Sequence, residues 1–423
     1  MRWLPALAML LSGAVFAAES TLTLEEALRQ ADAAHPDLEM ARAQAEAASA
    51  ETRLADSLND LRLSLEAGLR AGHNELLGAH PQSDNLIRLD ARKTLFDGGR
   101  QGAGMEAAKE ESVARGLQLM DVRTQRRIAI MARYFDALMT DMQYNADTEF
   151  MAVAYTDWDH ARDRTALGQM AQWELAEREA RYQDSLLRRN DTRRKLREKR
   201  QMLAAALNQT GPLTAELVDP PLKGNDRRLP EFDALLDQAM KNNPRLVAQQ
   251  RLLAAAGQRI TAQRVAERPS LELEAEAAQW SREATTRDDL RVGVNFYWPI
   301  WQGGRQDAGL AREQARFHAQ QAEVERLRMD LRQGLLETRE EIDYLRDSAR
   351  KDAQTTVTWR DQALDKARAE YEMELRTTLG TGMAETQVAR LRQRAVEYRL
   401  ALAWVRLESL LGGPLEPAQE DRK

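Results

Sequence analysis

The chain is one unit written twice, and this duplication constrains its fold more than any other feature. Leu24, Leu28, Ala31, Pro36 and Leu38 recur as Phe232, Leu236, Ala239, Pro244 and Leu246, at a constant offset of 208 positions. Leu95-Phe96-Asp97-Gly98-Gly99-Arg100 recurs as Ile300-Trp301-Gln302-Gly303-Gly304-Arg305, an offset of 205. Arg164-Thr165-Ala166-Leu167-Gly168 recurs as Arg376-Thr377-Thr378-Leu379-Gly380, an offset of 212. Three landmarks in one order mark a tandem repeat. The sequence divides into a first copy over 18–210, with a hairpin over 61–96, and a second copy over 231–412, with a hairpin over 269–301. Pro212, Pro220, Pro221 and Pro230 make 211–230 a linker between them, and 413–423 is a tail.

Within each copy the pattern passes from helix to strand and back. Thr23 to Ala34 reads as a short helix, broken at His35-Pro36 because the residue before proline avoids helical angles. Proline suits the first turn of the helix that follows, from Pro36 to about Ser57, and Asn243-Pro244 repeats the device. From Leu61 to Ala71, Leu61, Leu63, Leu65, Ala67, Leu69 and Ala71 alternate with Arg62, Ser64, Glu66, Gly68 and Arg70. Such a period of two predicts a strand with one apolar and one polar face. Leu86 to Phe96 sets Ile87, Leu89, Ala91 and Leu95 against Arg88, Asp90, Arg92 and Thr94, with Lys93 out of phase. In the second copy, Leu271, Leu273, Ala275 and Ala277 oppose Glu272, Glu274 and Glu276. Its partner strand sets Leu290, Val292, Val294, Phe296, Trp298 and Ile300 against Arg291, Gly293, Asn295, Tyr297 and Pro299. Four strands are expected, two per hairpin.

Each hairpin feeds a very long helix. Leu117, Met120, Thr124, Ile128, Met131, Phe135, Leu138 and Met142 advance in steps of three or four, and Val324, Leu327, Leu331, Leu335, Ile342 and Leu345 follow the same plan with one double step of seven. A helix from Arg100 to about Arg164 would be roughly 100 Å long. Returning helices follow from Met170 to about Leu207 and from Met383 to Leu411. Helices of this length bury their apolar stripe by packing as coiled coils.

The first residues read as an export signal. Met1-Arg2 precedes an apolar run from Trp3 to Phe16, and Val15 and Ala17 suit a peptidase site, so cleavage is expected after Ala17. No later apolar run reaches the ~18 residues of a membrane helix. The chain has no cysteine, which excludes a disulfide scaffold, a thiolate metal site and a thiol-linked lipid. A net charge of −6 argues against nucleic acid as a partner.

Strands of nine to eleven tilted residues span an outer membrane, apolar face to lipid and polar face to a wet lumen. Two hairpins alone leave edges, and an unpaired edge in hydrocarbon costs several kcal/mol per group. The smallest single-chain barrels have about eight strands, so several chains must pool their hairpins. Phe96, Trp280, Phe296, Tyr297, Trp298 and Trp301 lie near the strand ends, where aromatic girdles form. The fold class is therefore mainly α with a β-barrel part: a duplicated unit of long coiled-coil helices plus two hairpins, with the barrel completed by oligomerisation.

Taken in order, several motifs resemble the TolC family of bacterial outer-membrane efflux proteins. They are the export signal, the opening Thr23-Leu24-Glu25-Glu26-Ala27-Leu28 with His35-Pro36, the Leu95–Arg100 strand-to-helix turn, the duplicated body and the closing Leu410-Leu411-Gly412. The resemblance implies a homotrimer, a 12-stranded barrel in outer-membrane lipid and a helical tunnel across the periplasm. It also implies docking on a periplasmic adaptor protein and an inner-membrane transporter.

Gly98 and Gly99, like Gly303 and Gly304, sit where a strand must bend into a helix, and glycine reaches left-handed angles at little cost. Pro299 precedes the second pair where the first has Thr94. No Gly-rich loop is followed by Lys-Ser/Thr, so no nucleotide site of that kind is present. The resemblance assigns adaptor docking to the helical tips, hence to Arg164, Leu167, Gly168, Arg376, Leu379 and Gly380. It also implies acidic closure near the second tip, where Thr378 and Thr381 stand instead; Glu372, Glu374 and Glu385 are nearby candidate entrance acids. The alternation places Arg62, Glu66, Arg88, Asp90, Glu272, Glu274 and Arg291 on the lumen side, together with Arg70, Arg92 and Glu276. With five charges of each sign the bore should discriminate weakly.

The basic run from Arg188 to Arg200 is interleaved with Asp191 and Glu198 and reads as a solvated helix face. His73 and His80 lack a third ligand at metal-site spacing. Nothing in the sequence supplies a catalytic triad, a carboxylate pair or a metal or cofactor site, so no enzymatic activity is expected. The reading that follows is a passive exit duct in an efflux or type I secretion system. A periplasmic coiled-coil adaptor or scaffold is the alternative, and it leaves the two-faced hairpins unexplained.

Overall fold

The computed structural model describes residues 21–72, 82–281, 288–373 and 379–415. The export signal, His73, His80, Glu374, Arg376, Thr378 and most of the tail lie outside the described residues. The first copy contains β1 (Thr21–Leu22), α1 (Leu24–Arg29), α2 (Pro36–Ser57), β2 (Arg62–Gly68) and β3 (Ala71–Gly72). It continues with β4 (Gln82–Ser83), β5 (Leu86–Phe96), α3 (Arg100–Ala166) and α4 (Gln172–Ala206). The 211–230 segment carries β6 (Glu216–Leu217) and a 3-10 turn, Lys223–Asp226. Then come α5 (Phe232–Asn242), α6 (Pro244–Arg264), β7 (Ser270–Trp280), β8 (Leu290–Tyr297), α7 (Arg305–Tyr344), a π turn (Leu345–Ala349), α8 (Arg350–Glu372) and α9 (Gly380–Leu411).

The chain forms two compact units, and neither is one sequence copy. One holds residues up to Ala34, Gln125–Leu229 and Thr338–Arg406; the other holds His35–Thr124, Pro230–Glu337 and the residues from Leu407 on. Each draws on both copies.

The second of these units contains the sheet. Its short helices start as proline and the preceding polar residue dictate. The His35 ring accepts from Asp37 N at 3.2 Å with Pro36 in the first turn. Asn243 Oδ1 accepts from Leu246 N at 3.0 Å, and its amide donates to Leu410 O at 2.9 Å. α9 ends at Gly412, whose φ of +79° lets the Gly412 and Gly413 amides reach back to Ser409 and Glu408 carbonyls. A Cβ at Gly412 would stand 2.1 Å from the Asn242 carbonyl oxygen, so only glycine fits. Leu246, Val324 and Leu331 are buried together with Met240, Leu253, Leu327 and Leu410 packed around them.

The helical unit is built around Ile130, Tyr134, Phe135, Leu138, Leu203 and Tyr398, with Phe135 stacked on Tyr398 at 4.6 Å between centroids. Thr23 opens α1 with a capping box, its hydroxyl accepting from Glu26 N while the Glu26 carboxylate accepts from Thr23 N. The helix expected over 23–34 is α1 plus a 3-10 turn, Gln30–Asp32. β1 and β6 pair in parallel, and the Tyr134 hydroxyl lies 2.7 Å from both the Leu22 and the Val218 carbonyl oxygens. The 211–230 segment is thereby held along the helices. Asp219 accepts from Tyr398 at 2.7 Å and pairs with Arg394, while Asn225, fully buried, donates to the Glu397 carbonyl at 2.9 Å.

The second long helix is interrupted. Leu331, Thr338 and Leu345 are buried at steps of seven, and the stripe resumes at Ala353 and Ala367, one residue late. Leu335 and Ile342 likewise resume at Val357 and Leu364. The π turn lies in the gap. A single extra residue in an α-helix would turn everything after it by ~100°. A π turn takes up that residue within one turn, so both buried stripes continue.

Candidate functional site

The four strands expected from the alternation join into one antiparallel sheet in the order β2-β5-β7-β8. The two hairpins are stitched through β5 and β7, the last strand of one hairpin and the first of the other. Strand limits follow the prediction closely, except that β2 stops at Gly68, leaving Arg70 beyond it, and β8 stops at Tyr297, before Pro299. The paired segments β1·β6 and β3·β4 are additions that the alternation did not suggest.

Register puts the charged residues on one face. Glu66 faces Arg88, Arg92 faces Glu274, and Glu276 lies between Asp90 and Arg291. Their side chains meet across the strands: Arg88 with Glu66 at 2.5 Å and with Asp90 at 3.1 Å, Arg92 with Glu274 at 3.0 Å, Arg291 with Glu276 at 2.9 Å. Arg62 reaches Glu272 at 3.8 Å, and Asn295 donates to Glu274 at 2.7 Å. Of the ten residues expected on the polar face, all but Arg70 lie on these strands, each in contact with a partner of opposite charge. Asp90, Glu274 and Glu276 also bring carboxylate oxygens within 4.8 Å of one another. Guanidinium groups stand where a cation would have to bind, so the cluster is an ion-pair lattice that fixes cross-strand register.

The opposite face is apolar and exposed. Leu65 is 71% and Val292 65% accessible, and Leu63, Ile87, Leu89, Val294 and Phe296 are exposed beside them. Leu95 and Phe96 are both on display because the register slips between Thr94 and Phe96: a β-bulge turns Phe96 to the side of Leu271. Strict alternation would have put Phe96 with Thr94 on the polar side. β2 and β8, at the two edges, have no outer neighbour among the described strands.

The strand-to-helix turns are built as the glycine pairs require. Gly98, Gly99, Gly303 and Gly304 have φ of +70°, +89°, +62° and +77°. In the first turn Asp97 adds a cap that the sequence reading missed, accepting from Gly99 N at 3.0 Å and Gln101 N at 2.6 Å. Gln302 takes its place in the second copy. The Asp97-Gly-Gly spacing ahead of a helix was the available signal.

At the α3–α4 tip the helix ends in a Schellman motif: Gly168, φ +72°, donates to Thr165 O at 3.0 Å and Gln169 donates to Arg164 O at 2.8 Å. Arg164 and Leu167 are exposed, and Trp173, a residue the sequence reading passed over, is 69% accessible at the start of α4. The second tip differs. Gly380 is the first residue of α9 with no positive φ, and a Cβ on it would meet Val153 Cγ2 at 2.3 Å. Leu379 precedes it and is half-buried. Glu372, the last residue of α8, is exposed, whereas Glu385 pairs with Arg360.

Residues 235–413 match the sequence model of the family described as outer membrane efflux protein. No curated protein sequence matches the chain. Among solved structures, the outer membrane protein VceC of Vibrio cholerae is 19% identical with a TM-score of 0.72, over 93% of this chain and 97% of that one. The Campylobacter jejuni outer membrane channel CmeC is 15% identical with a TM-score of 0.76, over 94% of this chain and 87% of that one. The outer membrane channel MtrE of Neisseria gonorrhoeae, in its open state, is 18% identical with a TM-score of 0.73, over 92% and 89%. The chain has the fold of these outer membrane channels over nine-tenths of its length, and its second copy matches the sequence pattern of the outer membrane efflux protein family.

Proposed function

We propose that the protein is the passive exit duct of a tripartite efflux or type I secretion system, crossing the outer membrane as a barrel and the periplasm as a helical tunnel. The observation that carries this reading is the sheet: one face apolar and exposed, the other charged and internally paired, both edges open. Exposed apolar patches beyond a few hundred Å² are rare on proteins that live in water. In lipid the same face is solvated, and the edges must then find partners. Three chains of four strands give a 12-stranded barrel, the number the TolC resemblance implies.

In this reading residues 1–17 are removed on export. The copies 18–210 and 231–412, joined by 211–230, each supply one hairpin and one helical hairpin to the wall. Arg62, Glu66, Arg88, Asp90, Glu272, Glu274 and Arg291 face the bore. Because every charge there is compensated, small ions of either sign should pass with weak preference. The tips at Arg164, Leu167, Gly168, Arg376, Leu379 and Gly380 dock a periplasmic adaptor, and Glu372, Glu374 and Glu385 are the acids nearest the entrance. Energy comes from the inner-membrane transporter, since the duct performs no reaction.

The test is extraction and reconstitution. The protein should leave the outer-membrane fraction only with detergent, run as a trimer, and give discrete, weakly selective conductances in planar bilayers. A water-soluble monomer, or a protein fractionating with the inner membrane as an adaptor would, overturns the proposal.

A further inference from the structure

Three ion pairs join α3 to α6, and so join the two sequence copies within one chain: Asp121 with Arg245 at 3.6 Å, Glu110 with Arg251 at 3.2 Å, and Glu111 with Arg259. In each, the acid is on the long helix and the arginine on the short one. The duplication says where the corresponding positions lie in the opposite combination of helices. α3 maps onto α7 by 205 positions, anchored where Gly98-Gly99-Arg100 meets Gly303-Gly304-Arg305; α6 maps onto α2 by 208, anchored where Pro244 meets Pro36. None of these helices is interrupted between its anchor and the mapped residues.

Under that mapping Asp121–Arg245 becomes Arg326–Asp37, and Glu111–Arg259 becomes Arg316–Glu51. Glu110–Arg251 becomes Ala315–Ala43. Both charged pairs survive with the signs exchanged, and the third loses both charges together. Unrelated drift would leave unmatched charges. Neither mapped pair forms within the chain: Arg316 and Arg326 meet Glu313 and Glu323 on their own helix, Asp37 meets His35, and Glu51 is exposed.

We infer that α7 of one subunit packs against α2 of the next through Arg326–Asp37 and Arg316–Glu51, a seam with the charge sense opposite to the α3–α6 seam inside each chain. This rests on the ring-forming reading proposed above, and the occupant is a second copy of this chain. The inversion is a specificity device. Within the chain α2 already touches α3, Thr52 donating to Ala108 O at 3.1 Å; what the inversion guards is the place of α6 on α3, where Asp37 would face Asp121 and Glu51 would face Glu111 as like charges. The two seams have opposite charge sense, so subunits join head to tail and the ring closes in one order.

The experiment uses the full chain purified in detergent. Oligomeric state and the temperature of subunit dissociation are read by mass photometry and semi-native gels. The paired variant Asp37→Arg/Glu51→Arg should shift the wild-type trimer to monomer or lower its dissociation temperature, as should Arg316→Glu/Arg326→Glu. Combining all four changes should restore the trimer. In the cysteine-free background, Ala43→Cys with Ala315→Cys should give covalent dimers and trimers with a short thiol cross-linker, and neither single cysteine should. A wild-type trimer indifferent to the one-sided reversals, or one whose four-residue exchange fails to rescue, overturns this seam while leaving the duct reading intact. A wild-type protein that is monomeric throughout overturns the duct reading and this seam with it.

Discussion

Arg350 holds Glu397 in a two-pronged hydrogen bond, Nε to Oε1 at 2.7 Å and Nη2 to Oε2 at 2.8 Å, while its remaining nitrogen reaches Asp226 at 2.8 Å. Arg350 is the first residue after the π turn, Asp226 belongs to the segment joining the two copies, and Asn225 donates to the same carboxylate at 2.7 Å. One guanidinium therefore fastens α8, α9 and the 211–230 segment. Arg350→Ala leaves a partly buried carboxylate with a single amide donor. It should lower stability by about 1.5–3 kcal/mol, as hydrogen bonds to charged groups do. Arg350→Lys, which cannot make the fork, should recover less than half of that. Thermal unfolding and limited proteolysis within 211–230 report both.

The same cluster sets an acid limb. Burial alone would raise the Glu397 carboxyl, but its bonds from Arg350 and Asn225 outweigh that and hold it below its ordinary value of 4.5. A depressed carboxylate contributes stability that is complete above the unfolded value and disappears as pH falls through the folded one. The melting temperature should thus drop below pH 4.5, and Glu397→Gln should flatten that limb while lowering the plateau. At the other end, burial pushes the Tyr134 hydroxyl up to about 12 from 10.0. Its contribution is full below pH 10 and is lost as pH climbs towards 12, a loss that Tyr134→Phe should remove. Melting curves of the three proteins between pH 3 and pH 12 check both signs.

The elements that rest on local chemistry were legible in the sequence. The alternation from Leu86 to Phe96 gave β5 at its observed limits, and Pro36 and Pro244 gave the starts of α2 and α6. What escaped depends on residues far apart. The β5–β7 pairing, which makes two hairpins one sheet, joins Arg92 to Glu274 across the whole first helical hairpin, and no local pattern encodes it. The bulge at Thr94–Phe96 left its trace in the consecutive apolar residues Leu95 and Phe96, which strict alternation splits between the two faces. The π turn left one in the eight-residue gap from Leu345 to Ala353, beyond the point where the stripe was followed. The two tips look alike as Leu-Gly pairs, yet Gly168 is left-handed and Gly380 helical. Sequence similarity carried the residue type but not the backbone angle.

The first strand-to-helix turn separates two costs of a side chain. Gly99, φ +89°, has no heavy atom within 4 Å of an added Cβ, so Gly99→Ala meets only the left-handed backbone penalty, about 1–2 kcal/mol. At Gly98, φ +70°, the added Cβ would lie 2.7 Å from Arg268 Cβ and 2.9 Å from its Cδ. Gly98→Ala should therefore be the more damaging of the pair. The pair Gly98→Ala/Arg268→Gly should bring it back towards the Gly99→Ala level, because Arg268→Gly removes Cβ, Cγ and Cδ together. Yield of folded protein in the membrane fraction and its melting temperature rank the three.

Deletions in the long helices distinguish a turn that stores an extra residue from one that does not. α7, the π turn and α8 together run Arg305–Glu372, one residue longer than α3 over Arg100–Ala166. Ser348 lies in the π turn with its side chain exposed. Removing it lets the turn revert to α-helix, so that Thr338 and Leu345 are followed at even steps of seven by the residues now at Ala353 and Ala367. The deletion should leave helix content unchanged and move stability by less than about 1 kcal/mol, since no buried contact is lost. Arg127, equally exposed on α3, has no π turn beside it. Its deletion rotates every later residue of α3 by ~100°, taking Tyr134, Phe135 and Leu138 out of the core, with a cost of several kcal/mol. Circular dichroism and melting temperature of the two deletion variants decide the matter: equal damage from both would mean that the π turn holds its own contacts, and that the interrupted stripe is not an accommodated insertion.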